Sequence, residues 1–147
     1  MGYYHWFWLA QRSPIPESVI NKAPEEWFFS HTSREEKDKN FFNTNALNDY
    51  LECIKNPETI KSICEDYRAA ATVDLVDDRK SRYDKIKINV PLLVLWGKKG
   101  KLEQWYDTLN IWQNYCSLEV KGHAIDSGHY LAEENPIEII ENIRKFI

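Results

Sequence analysis

No segment of these 147 residues follows the pattern Gly-x-Ser-x-Gly, and none carries the same strand-turn-helix elbow with Asp or Cys in the middle. A nucleophile presented in that way is therefore not encoded here. Long apolar runs are missing too. The longest strongly apolar stretch, Pro91 to Trp96, falls far short of the roughly 20 residues that cross a bilayer. The N-terminus has no charged start leading into a signal-type apolar run. A soluble, cytoplasmic protein is expected. Nor is there an excess of positive charge: 19 Lys+Arg stand against 23 Asp+Glu, a formal charge of -4. That balance offers no broad positive field toward phosphates, so neither nucleic acid nor a membrane surface is an expected partner. Close cysteine pairs are also absent. Cys53, Cys64 and Cys116 are odd in number and widely spaced, unlike a zinc or redox motif, and read as reduced, partly buried thiols. No metal and no cofactor is expected. Cys116 has no glycine among its immediate neighbours to form a sharp elbow, which argues against its serving as a nucleophile for His129.

What is present divides into two textures near residue 85. The first part is aromatic and helical in pattern, from Tyr3, Tyr4, Trp6, Phe7 and Trp8 through Trp27, Phe28 and Phe29. A charged run, Ser33 to Asn40, interrupts it as a solvated turn or helix end. Leu47, Tyr50, Leu51 and Ile54 follow the three-four spacing of an amphipathic helix. Pro57 opens another, which continues through Ile60, Ile63, Cys64 and Tyr67 to about Leu75, with Asp77-Asp78 as its exit.

After Ile86 the period changes. Ile88, Val90 and Leu92 to Leu95 form a nearly continuous apolar run ending at Trp96-Gly97, the mark of a strand buried on both faces of a parallel sheet. A helix is expected over about 103–115, with Trp105 and Trp112 packed on one face, and a short strand over 117–125. The last helix starts with Asn135 as cap and Pro136 at its first position, and its buried stripe is expected along Ile137, Ile140, Ile143 and Ile147. The resulting plan is α/β: a helical block followed by the final two strands of a doubly wound sheet.

The chemistry concentrates at His129. It follows Gly128, which permits a tight bend, and sits between a strand and a capped helix, a setting that suits a catalytic base. A solvent-facing loop histidine is the plainer alternative. His123 and His31 lack that context and read as structural. Glu133-Glu134 precede the last helix, where its dipole favours negative charge, and also read as structural. His5-Trp6 taken alone reads as aromatic core at a helix start.

Four segments in order carry a family resemblance: Tyr3 to Gln11, Cys64 to Ala71, Val94 to Gly97, and Asp126 to Glu134. Together they resemble the haloacetate dehalogenases of the α/β-hydrolase superfamily, the fluoroacetate-cleaving ones in particular. The resemblance implies an incomplete α/β-hydrolase fold, with a helical cap over 1–85 and the C-terminal part of the core over 86–147. It implies a two-step reaction converting a haloacetate and water into glycolate and halide. His129 would be the base, and His5, Trp6 and Tyr67 would be neutral halide donors. The small halogenated carboxylic acid would be the substrate of the complete enzyme. Family features that precede the cap, among them the nucleophilic Asp and the acid that orients the histidine, have no counterpart here. Trp96-Gly97 is followed by Lys98-Lys99-Gly100-Lys101, where many relatives place an alternative acid, and Asp126 is poorly placed to replace it. A chain inactive alone is expected, with a complementing N-terminal polypeptide or self-association to cover its sheet. A non-catalytic small-acid or partner-binding module, and epoxide or ester hydrolysis, are the competing functions.

Overall fold

The computed structural model describes residues 3–32 and 41–147. The charged run at 33–40 lies outside the described residues. The chain divides into two compact units, Met1–Lys80 and Ser81–Ile147.

The first unit is helical. It contains α1 (Tyr4–Leu9), α2 (Ile15–Ile20), α3 (Pro24–Thr32), α4 (Thr44–Ile54), α5 (Pro57–Ala71) and most of α6 (Val73–Tyr83). Asn43 and Asn56 cap α4 and α5, each side chain accepting a first-turn backbone N–H, and Pro57 follows its cap where a missing N–H costs nothing. Leu9, Ile20, Ile54, Ile60 and Cys64 form the buried core, with Trp8, Trp27, Phe28, Ile63 and Tyr67 packed around it. The helix expected to run from residue 58 to about Leu75 is two helices instead. Thr72, at φ -129° and ψ -89°, leaves helical geometry and ends α5, while α6 passes through Asp77-Asp78 to Tyr83. Two adjacent aspartates on an exposed helix face remain hydrated, so they need not end it. His31 lies in α3 rather than in a charged turn.

The second unit holds β1 (Leu92–Gly97), α7 (Lys101–Trp105), α8 (Thr108–Gln113), β2 (Val120–Ile125), α9 (Leu131–Glu134) and α10 (Pro136–Phe146). β1 and β2 pair in parallel, Leu92 opposite Val120 and Gly97 opposite Ile125. Ile88 makes only an isolated bridge to Cys116. Gly122 permits close strand approach, since a Cβ there would lie 1.9 Å from the Val94 carbonyl oxygen. The single helix expected over 103–115 is broken at Tyr106 and Asp107, and Asp107 caps α8 by accepting the Asn110 N–H. That break puts Trp105 and Trp112 on separate helices with both side chains exposed, so they are not the packed pair the spacing suggests.

Asn135 caps α10 as expected, accepting the Glu138 N–H. The stripe along it is inverted. Ile137 is 72% exposed and Ile147 97%, and Ile140 and Ile143 are exposed as well, while Asn135, Glu138, Ile139 and Asn142 are half-buried. The packing of α10 within this unit is against α9 and β1, which cover its Ile139 side. β1 is similarly only half-buried from Leu92 to Trp96. Helical and strand periods identify an apolar face, but burying it requires an element to lie against it.

Candidate functional site

In the first unit, α1 and α5 bring His5, Trp6 and Tyr67 together. The Tyr67 ring lies 5.8 Å from that of His5 and 6.1 Å from that of Trp6, centroid to centroid, both edge to face. His5 is buried and Trp6 is 54% exposed, so the cluster opens outward through the indole. Tyr3 closes one side, 5.7 Å from His5 and 6.1 Å from Trp6. His31 closes another: its ring meets His5 edge-on at 4.9 Å and stacks on Trp27 at 4.8 Å. Edge-to-face contact sets ring polarity against ring faces and fixes orientation beyond what burial does. Imidazole, indole and phenol each carry a polar hydrogen, a chemistry suited to a small anion without bringing a cation to the site.

The residue after Tyr67 anchors this arrangement. Arg68 Nη2 lies 2.8 Å from Glu17 Oε1, its Nη1 lies 2.8 Å from Glu65 Oε1, and its Nε donates to the Gln11 carbonyl at 2.8 Å. One guanidinium thus ties α5 to α2 and to the end of α1. Burial would raise the Glu17 pKa, but hydrogen bonds from its own backbone N–H and from Arg68, with the positive charge of Arg68, outweigh it and hold the carboxyl below its ordinary value. The sequence offers one signal for Arg68, its place beside Tyr67 in the cap-helix segment. It offers none for Glu17, whose partner lies three helices further along the chain.

In the second unit, His129 stands on the loop between β2 and α9 with its side chain exposed. Its ring meets that of Tyr130 edge-on at 5.0 Å. The loop is built from both sides. Lys98 N donates to the Ile125 carbonyl at 2.8 Å and Lys99 N to the Ser127 carbonyl at 3.0 Å, tying the end of β1 to it. Gly97 is required there, because a Cβ would fall 1.7 Å from the Gly128 carbonyl oxygen. From the other side, Glu134 Oε2 accepts the Gly128 N–H at 2.6 Å and Oε1 accepts the Tyr130 N–H at 2.9 Å. Glu134 therefore does more than complement a helix dipole. Asp126 is exposed and pairs with Lys99 Nζ at 3.0 Å, so its carboxylate is engaged away from the imidazole. His123 lies in β2 with Nε2 3.8 Å from Glu138 Oε1. Cys116 is buried at the Ile88 bridge, and Cys64 lies in the helical core. Among the described residues no group of three or more His, Cys, Asp or Glu is arranged to hold a metal ion, and no helix is long and apolar enough to cross a membrane.

No protein-family profile matches the chain. A protein named fluoroacetate dehalogenase, from a Burkholderia species, is 24% identical over 152 aligned positions, covering 99% of this chain and 47% of that protein. A crystal structure described as an α/β hydrolase from Nostoc sp. is 41% identical with a TM-score of 0.91, over 98% of this chain and 48% of the other. One described as an acyltransferase from Salmonella enterica is 40% identical with a TM-score of 0.89, over 98% of this chain and 47% of the other. The chain spans about half the length of each. A helical block followed by a parallel strand pair thus has the fold of the cap and C-terminal portion of an α/β hydrolase, and the similarity to a fluoroacetate dehalogenase runs over nearly the whole chain.

Proposed function

We propose that these 147 residues supply the halide-binding cap and the histidine base of a haloacetate dehalogenase, working with a nucleophile-bearing segment outside them. The observation that carries this reading is the convergence of His5, Trp6 and Tyr67. Two positions adjacent on α1 and one on α5 place three different neutral donor types within one ring-contact cluster. Aromatic packing alone does not require that choice of side chains.

In the proposed reaction an aspartate carboxylate attacks the halogen-bearing carbon, the carbon–halogen bond breaks, and halide departs with the bonding pair toward the His5, Trp6 and Tyr67 donors. The resulting ester is then hydrolysed. His129 takes a proton from water, the hydroxide adds to the ester carbonyl, and glycolate leaves with the carboxylate restored. Donors fixed where charge develops lower the barrier by roughly 3 kcal/mol each, on the scale of measured oxyanion-hole losses. Fluoride needs them most, because its bond yields only as charge builds on fluorine. The companion segment would be the nucleophile-bearing N-terminal portion of an α/β hydrolase, laid along the half-buried β1.

The test is halide release from fluoroacetate and chloroacetate, with an epoxide and a simple acyl ester as competing substrates. The purified chain is assayed alone and after co-expression with an α/β-hydrolase N-terminal segment carrying Gly-x-Asp-x-Gly. Release only in the co-expressed sample, with His129→Gln trapping an ester detectable by mass, is the expected result. Turnover of the epoxide or ester without halide release would overturn the dehalogenase reading. Binding of small acids with no turnover of any substrate would favour a non-catalytic module.

A further inference from the structure

We propose that Glu134 is the positioning residue for His129, a role that rests on His129 being the base. Its carboxylate accepts the backbone N–H of each residue flanking the histidine, Gly128 N at 2.6 Å on Oε2 and Tyr130 N at 2.9 Å on Oε1. The return bond closes the bracket, for Glu134 N donates to the Tyr130 carbonyl at 2.9 Å. The Ser127–Gly128 and His129–Tyr130 peptides are thereby held, which clamps the backbone on both sides of the histidine.

The position of the bracket matters because, among the described residues, no carboxylate is paired with this imidazole. Among the described residues the ring's recorded contact is with Tyr130, and the nearby acid in sequence, Asp126, is paired with Lys99. A base must keep its ring within hydrogen-bond reach of the water it activates, and a loop residue achieves that only when its backbone is held. Here the β1 end holds the loop through Lys99 N and Ser127 O, while Glu134 holds it at His129 itself.

Gly128 belongs to the same device. A Cβ at this position would lie 3.0 Å from both Glu134 carboxylate oxygens, so a side chain there would press the acceptor a few tenths of an ångström from its place. Glycine is needed for the room it leaves to the carboxylate, in addition to any bend it permits. A neutral amide cannot replace the carboxylate. In Glu134→Gln one acceptor remains, and an NH2 group is turned toward the second peptide N–H, donor against donor.

The experiment uses the 147-residue chain and needs no turnover. Amide hydrogen exchange of Gly128 and Tyr130, and the pH profile of His129 carbethoxylation by diethyl pyrocarbonate, are read by mass spectrometry with His123 as internal reference. In Glu134→Gln the two amides should exchange at least about tenfold faster, the scale of losing a charge-assisted hydrogen bond. The His129 profile should change while that of His123 and the helix content by circular dichroism stay as they were. Should Glu134→Gln fail to fold, Gly128→Ala displaces the same carboxylate from the other side and should give the same changes. Unaltered exchange and an unaltered His129 profile in a folded variant would overturn the proposal. Because neither readout involves a halogenated substrate, a failure here is distinct from a failure of the dehalogenase reading.

Discussion

Arg68 on α5 and Glu17 on α2 form an ion pair at 2.8 Å with side chains only 16% and 8% exposed. Both charges lie within the helical unit, Arg68 next to Tyr67 in the chain, and the same guanidinium holds the Gln11 carbonyl just beyond α1. Removing Arg68 leaves the Glu17 charge buried without a compensating cation, and removing Glu17 leaves Arg68 paired only with the exposed Glu65. Arg68→Met and Glu17→Gln should each destabilise the unit by on the order of 3 kcal/mol, read as a shift in denaturant midpoint. The double variant should lose less than the sum of the two, and strict additivity would show that the pair contributes nothing specific.

The pair also fixes the sign of the acid response. The folded-state pKa of Glu17 is lowered from its ordinary value of 4.5, so its contribution to stability is complete above that value and is lost as pH falls through the folded pKa. Unfolding free energy measured from about pH 6 downward should therefore fall less steeply in Glu17→Gln than in the native sequence, over the range below about pH 4.5. Parallel acid limbs would mean the carboxylate is no better held folded than unfolded.

The Cys64 thiol is pushed up to about 11, by burial first and then by the nearby negative charge of Glu17. Cys53 is exposed. A disulfide reagent at about pH 8 should modify Cys53 rapidly and leave Cys64 untouched until the chain is unfolded, since the thiolate is the reactive species. Rapid native modification of Cys64, located by peptide mass, would contradict its placement in the core.

Gly97→Ala places a methyl group where the Gly128 carbonyl stands. The loop must move or the strand end must shift, and overpacking of this kind costs about 1–3 kcal/mol. The effect should appear as lower stability together with faster amide exchange at Ser127 and Gly128. A change confined to β1 would show that the strand yields and the His129 loop does not.

Ile137, Ile140, Ile143 and Ile147 line an exposed face of α10, and the half-buried β1 lies in the same unit. Contiguous apolar patches beyond a few hundred Å² are uncommon on monomers and mark partners or self-association. The chain should bind a hydrophobic dye and scatter light as an oligomer, and Ile140→Glu with Ile143→Lys should reduce both. A monodisperse monomer that excludes the dye would count against an uncovered face.

In an active assembly, Tyr67→Phe should slow defluorination more than dechlorination, by about tenfold or more in the ratio of the two rates if the phenol donates to the leaving halide. Equal losses for both substrates would assign Tyr67 to packing alone.

Much of this protein was legible from local pattern. The asparagine cap at Asn135, the prolines Pro57 and Pro136 at helix starts, the change of period after Ile86 and the glycine before His129 are short-range signals, and the corresponding elements are present. Such features are decided within a turn or two of backbone, by which N–H groups lack partners and which faces are apolar. The breaks at Thr72 and at Tyr106 and Asp107 were not legible, because helical periodicity carries across a break that tertiary packing imposes. Burial was less legible still. The isoleucines of α10 have the spacing of a packed stripe, yet exposure depends on whether an element lies against them, which no window of sequence reports. The sequence by itself determined the helical block, the strand pair and the chemical types of His5, Trp6, Tyr67 and His129. Only the tertiary structure decided that Arg68 finds Glu17 across α2 and α5, that His31 closes on His5, and that Glu134 holds the N–H groups of both residues beside His129. Hydrogen bonds and ion pairs act over about 3 Å, and which groups come within that distance is settled by chain path and packing.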